Sequence, residues 1–203
     1  TTGIFMTNNF TIDGGTVTAT GGTAGGKAGL SAGIYIGGSD SIVMVNGGTV
    51  KSTGGADSAV SAGIYASVYD NNEGKEANVN VTTNGGTVEI TGVNYGAKIE
   101  GTFTVAGGEV TVAATGSSGK AIETDSVKIS PTAPQLISVM AGASAETAVP
   151  VEGSSFSKET TLKKTDYNSS AYFKAWPVDP VAVTITGDGN VTYGDSATFT
   201  AQV

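Results

Sequence analysis

Four times in its first 116 residues this chain writes a pair of glycines, a run in which every second residue is apolar, and another glycine or small residue: IDGGTVTATGG (12–22), NGGTVKSTGG (46–55), TNGGTVEITG (83–92) and VAGGEVTVAATG (105–116). Alternation with a period of two marks a strand half buried on one face, and a glycine pair before it marks a turn. A fold that needs the same turn and strand repeatedly is built from stacked units, so the repeat limits the architectures open to the chain more than any other feature does.

Two further phrases keep step with the first. GIFM (3–6), GIYIG (33–37), GIYAS (63–67), GAKIE (96–100) and GKAIE (119–123) form one series. FTI (10–12), IVMV (42–45), VNVT (79–82), FTV (103–105) and VKIS (127–130) form the other. One unit therefore reads strand, Gly-Gly turn, strand, loop, strand. It takes 22 residues from Gly85 to Gly107, 33 from Gly14 to Gly47 and 38 from Gly47 to Gly85. The additional residues sit around 20–30, 53–62 and 67–78, where lengthening a surface loop costs little entropy.

Three strands in a unit of about 22 residues fit one coil of a single-stranded, right-handed parallel β-helix, and an all-β fold of that kind is expected here. Alternation then sorts the side chains. Val17, Val50, Val88 and Val110 form one inward column, Ala19, Ser52, Ile90 and Val112 a second, and Ile36, Ala66, Ile99 and Ile122 a third. The glycine pair supplies positive φ at the corner, and Asp13, Asn46 and Asn84 before it suit turns in which their side chains bond nearby backbone. A compact β-sandwich is the rival, but it gives no reason for equivalent columns to recur.

The repeat occupies the first part of a region spanning 1–180. Residues 131–180 break it and gather Phe156, Leu162, Tyr172, Phe173 and Trp176, as a cap over the last unit would. From 181 to 203, VAVTITGDGNVTYGDSATFTAQV suggests a linker and two strands joined by a Gly-Asp-Gly-Asn turn, the start of a further module. Both ends read as a segment cut from a longer chain.

Charge and composition exclude several functions. The 203 residues hold 18 Asp and Glu against 10 Lys, with no Arg, His or Cys, for a net charge of -8. Such a chain has no basic patch with which to bind nucleic acid. Zinc sites and disulfides lack their ligands and sulfurs. No apolar run approaches the roughly 20 residues of a membrane-spanning helix.

NGGTVKSTGG followed by SAGIYIGG resembles the glycine-rich coils of right-handed parallel β-helix surface proteins of Gram-positive gut and soil bacteria, some of them adhesin-like or carbohydrate-binding. PQLISVMAGASAETAVPVEG with AYFKAWP is similar to the segment that closes such arrays, and VTYGDSATFTAQV resembles the opening strands of bacterial immunoglobulin-like modules. The resemblance implies an extracellular setting, on the cell surface or secreted, with attachment or glycan binding as the role.

The candidate sites follow from the outward residues. On the third strand these are Phe5, Tyr35, Tyr65, Lys98 and Ala121, which places aromatic rings about 4.8 Å apart. Such a row suits the apolar faces of sugar rings, or else it is a ladder that stabilises the sheet. On the second strand Thr16, Thr49, Thr87 and Glu109 lie beside Thr18, Lys51, Glu89 and Thr111. Thr-x-Thr arrays suit ice binding, but Lys51, Glu89 and Glu109 interrupt the face, and a solvated sheet with a Lys51–Glu89 ion pair is the simpler account. Asp70, Asn72 and Glu73 in the loop YDNNEGKE offer oxygens to calcium without the spacing of an EF-hand loop. Glu100 and Glu123 occupy equivalent positions one unit apart, with Asp125 close by. A carboxylate pair of that kind can hydrolyse glycosides only across a cleft, and on one coil edge the two would repel each other. The sequence thus points to a noncatalytic segment without cofactors that binds a polysaccharide or a host or cell-wall glycan. The alternatives are a structural stalk and a polysaccharide-degrading enzyme.

Overall fold

The computed structural model describes residues 1–23, 29–56, 58–67, 78–153 and 155–179, together with the backbone of Thr184–Gly187 and Phe199–Gln202. The described chain is all-β, with a single 3-10 turn at Lys164–Asp166 and no α-helix.

The first unit contributes β1 (Thr2–Met6), β2 (Phe10–Ile12) and β3 (Thr16–Thr20), and the second β4 (Leu30–Ile36), β5 (Ile42–Val45) and β6 (Thr49–Thr53). Then come β7 (Val60–Ala66) and three long bent strands, β8 (Val79–Gly92), β9 (Tyr95–Ala114) and β10 (Lys120–Ile129). These ten strands pair in parallel along three ladders. One runs β1–β4–β7–β9–β10, the second β2–β5–β8–β9–β10 and the third β3–β6–β8–β9. All belong to one mixed sheet of fourteen strands.

The third ladder puts Val17 opposite Val50, Val50 opposite Val88 and Val88 opposite Val110, as the alternation requires. Val50, Val88 and Val110 are buried, while Val17 on the first unit is only partly so. The second inward column, Ala19, Ser52, Ile90 and Val112, also pairs in register. Its one hydroxyl is satisfied: the buried Ser52 Oγ donates to the Gly63 carbonyl at 2.8 Å.

Glycine has two separate uses here. The second glycine of each pair takes positive φ, with Gly15 at 77° and Gly48 at 79°, so the corner turns where a side chain would strain it. The glycine that opens the phrase GIY serves close approach instead: a Cβ on Gly33 would lie 2.6 Å from Thr53 N and collide with Ser52 Oγ. The Asx residues before the corner do not bond local backbone as expected. They bond each other across units, with Asn46 Nδ2 donating to Asp13 Oδ1 at 2.8 Å and Asn84 Nδ2 to Asn46 Oδ1 at 2.7 Å. Parallel strands stack identical corners directly above one another, which brings these side chains within reach.

The last unit departs from the expected register. Ile99 pairs with Thr124 and Ile122 with Ala97, so the third inward column ends on Thr124, two residues beyond Ile122. Aligning GAKIE with GKAIE by their shared letters is the source of the error. In the folded chain Glu123 stands opposite Lys98, and an irregularity between Thr124 and Ser126, facing the positive-φ Gly101, restores the register of the next ladder.

Beyond the repeat, β11 (Leu136–Gly142), β12 (Val149–Pro150), β13 (Thr160–Thr161) and β14 (Tyr172–Val178) are antiparallel additions. β14 lies along the end of the third ladder and β13 along the end of the second. At the end of the first ladder the Ala121 N–H donates to Ser170 O at 2.7 Å. Phe156, Leu162, Tyr167 and Phe173 are buried there, whereas Tyr172 and Trp176 remain partly exposed. β15 (Thr184–Gly187) and β16 (Phe199–Gln202) form a separate antiparallel pair. The partner of the first of these strands is therefore Phe199–Gln202, and the stretch that follows the Gly-Asp-Gly-Asn turn lies outside the described residues.

Candidate functional site

The first ladder sets Phe5, Tyr35, Tyr65 and Lys98 in one register position on successive strands. The fifth member is Glu123; the expected Ala121 is fully buried. Phe5 and Tyr35 have ring centroids 5.2 Å apart with planes tilted by 52°, and Tyr35 and Tyr65 lie 5.6 Å apart at 63°, nearly edge to face. Tilted rings gain from their quadrupoles what a face-to-face sandwich would not. The row therefore offers alternating faces and edges, not one flat plane. Phe5, 54% exposed, is its most open member.

Past Tyr65 the row changes from aromatic to ionic. The Lys98 ammonium sits 5.9 Å from the Tyr65 ring centroid and 5.1 Å from that of Tyr95, and reaches Glu123 at 3.4 Å. Lys120 approaches the same carboxylate at 2.8 Å. Burial pulls the Lys98 pKa down, but the negative charge available on Tyr65, Tyr95 and Glu123 outweighs it and holds the amine above its ordinary value. Burial likewise opposes the Glu123 carboxylate, and the hydrogen bond and charge of Lys120, followed by those of Lys98, hold its pKa below the usual range.

Lys98 and Glu123 also line a cleft of about 420 Å³, together with Glu100, Lys120, Asp125, Lys164 and Asn168. Three lysines face three carboxylates there, so the cleft is polar without a large net charge. Ser67 Oγ donates to Glu100 Oε1 at 2.9 Å. The expectation that Glu100 and Glu123 are equivalent fails, because Glu123 belongs to the register position of Lys98 and is drawn to two ammonium groups instead of repelled by Glu100. Tyr95, Lys120 and Lys164 escaped sequence reasoning. The signal that could have found Glu123 was charge, since a register that pairs Lys98 with Glu123 is preferable to one that sets two glutamates side by side.

On the neighbouring face the Thr columns pair as expected, and Lys51 meets Glu89 at 3.2 Å with both side chains exposed. Glu109 is taken by Lys174 of β14 at 2.6 Å. The calcium candidates Asp70, Asn72 and Glu73 lie outside the described residues. Among the described residues no group of three or more Asp and Glu side chains is placed to share a metal ion, and no helix is long and apolar enough to cross a membrane. A scan against protein-family models, a search of curated proteins and a search of solved structures each found no match to this chain.

Proposed function

We propose that the three parallel ladders are the faces of a right-handed parallel β-helix and that the chain is a noncatalytic carbohydrate-binding segment of an extracellular, cell-surface or secreted protein. The observation that carries this proposal is the continuity of the row with the cleft: Phe5, Tyr35 and Tyr65 lead directly to Lys98 and Glu123, which line it. Sugars are held by apolar ring contacts combined with a few polar groups for their hydroxyls. Here the aromatic and polar elements lie end to end, as an extended glycan would need them. The cleft supplies ammonium, carboxylate and amide groups in near-balanced charge, which suits an uncharged, hydroxyl-rich chain.

The second proposal, a structural stalk, draws on the ring tilts, since rings packed edge to face stabilise the sheet whether or not a ligand is present. An array of neutral and acidic plant, host and cell-wall glycans separates the two. Binding on the order of millimolar to micromolar, lost in Tyr35→Ala and Tyr65→Ala while the melting temperature holds within a few degrees, supports the glycan site. A parent chain that binds no glycan and tyrosine variants that melt far lower would assign the row to the scaffold.

A further inference from the structure

The stacked corner asks for two residue types in succession. Asparagine suits the side-chain column because its amide can accept from one unit and donate to the next, as Asn46 does between Asn84 and Asp13. Glycine must follow it. A Cβ at Gly47 would lie 2.9 Å from Asp13 O, and one at Gly85 would lie 2.6 Å from Asn46 O. The fold therefore places Asn-Gly at two corners, 46–47 and 84–85, and the pair occurs nowhere else in the chain. This dipeptide is especially prone to close on itself, because glycine has no side chain to hinder attack by its nitrogen on the amide before it.

The two corners differ in what holds the amide. Asn46 is bonded on both sides, with Nδ2 donating to the Asp13 carboxylate at 2.8 Å and Oδ1 accepting from Asn84 at 2.7 Å. Attack on its Cγ would break both bonds and build negative charge beside Asp13. Asn84 is bonded on one side only. Its Nδ2 donates to the neutral Asn46 Oδ1, and its own Oδ1 has no partner among the described residues. Ala106 stands before the glycine pair of the next unit and offers no polar side-chain atom to hold it. Both asparagines are exposed, so water reaches each, and the difference between them lies in the hydrogen bonds.

We infer that Asn84 is a site of spontaneous deamidation, that the side-chain column protects Asn46 from the same reaction, and that conversion at position 84 loosens the stack. The Gly85 nitrogen attacks Asn84 Cγ, a C–N bond forms, the Cγ–Nδ2 bond breaks, and ammonia leaves with the proton from Gly85. Water then opens the succinimide. Attack at Cγ gives an aspartate, and attack at the main-chain carbonyl gives an isoaspartate. An aspartate sets a carboxylate against the acceptor Asn46 Oδ1, which ends that hydrogen bond. An isoaspartate adds a methylene to the backbone ahead of Gly85, where the stack on Asn46 O leaves no room.

The test is peptide mapping by mass spectrometry of the intact 203-residue chain after incubation at mildly alkaline pH in heavy-oxygen water, in native buffer and in urea, beside Asp13→Ala. In native buffer Asn84 should convert about tenfold faster than Asn46, where a further charge-assisted hydrogen bond must break. In urea the two sites should convert at the same rate. Asp13→Ala should keep the β-sheet circular-dichroism spectrum, speed conversion at Asn46 and leave Asn84 unchanged. The converted fraction, separated by its additional negative charge, should melt below the intact chain. Equal rates at the two sites in native buffer overturn the inference. So do faster conversion at Asn46, an Asn84 that survives in the folded chain while the unfolded chain converts, an Asn46 rate indifferent to Asp13→Ala, and a converted fraction as stable as the intact chain.

Discussion

Glu123 stands directly opposite Lys98 on neighbouring parallel strands, and its carboxylate is shared between the Lys98 ammonium at 3.4 Å and the Lys120 ammonium at 2.8 Å. This cluster joins the aromatic row to the cleft. Because all three side chains are only partly shielded from water, its contribution is modest: Glu123→Gln should lower stability by about 1 kcal/mol at pH 7 in urea unfolding.

The same cluster fixes a pH dependence. Glu123 has a folded pKa below the ordinary 4.5, so its contribution is complete above pH 4.5 and is lost as pH falls through the lowered value. The stability gap between wild type and Glu123→Gln should therefore close toward pH 3. A gap that stays constant on acidification would mean that Glu123 gains nothing from its lysines.

The period-two assignment predicts a sharp contrast between adjacent residues. Val50 is 1% exposed inside its column and Thr49 beside it faces solvent. Val50→Asp should cost several kcal/mol and unfold the repeat, because an unpaired charge has no partner in an apolar column. Thr49→Asp should be nearly silent, and equal damage from the two would refute the register.

The Asx column predicts an unusual ranking at Asn46. Asn46→Ala removes a donor to Asp13 and an acceptor for Asn84, at a cost of about 1 kcal/mol. Asn46→Asp keeps the acceptor but sets a carboxylate against Asp13, so it should be the worse variant at pH 7 and recover on acidification. Thermal melts at pH 7 and pH 3.5 check the order.

Glycine corners should not be interchangeable. Gly48 has φ of 79°, and a Cβ there would lie 2.7 Å from the Gly14 carbonyl carbon and collide with Gly15 O. Gly48→Ala should cost on the order of 1–3 kcal/mol from strain and collision together. Gly14→Ala, with open space and no positive φ, should leave the melting temperature unchanged.

The all-β class, the strand phrases, the turns at Gly15 and Gly48, and the inward column from Val17 to Val110 were legible in the sequence. Each rests on a local rule: alternation assigns a side chain to a face wherever the strand sits, and a corner needs its glycine whatever stacks upon it. The row of Phe5, Tyr35, Tyr65 and Lys98 was legible for the same reason. Its last member was not. Glu123 replaces Ala121 because the register of β10 on β9 is set across a loop whose length costs almost nothing to change, so similar letters on the two strands do not fix which residues face each other. The tilt of the rings, the Asn46–Asp13 bond and the cleft shared by Lys98, Asp125 and Lys164 likewise required the tertiary structure, since each joins side chains that only strand stacking brings together.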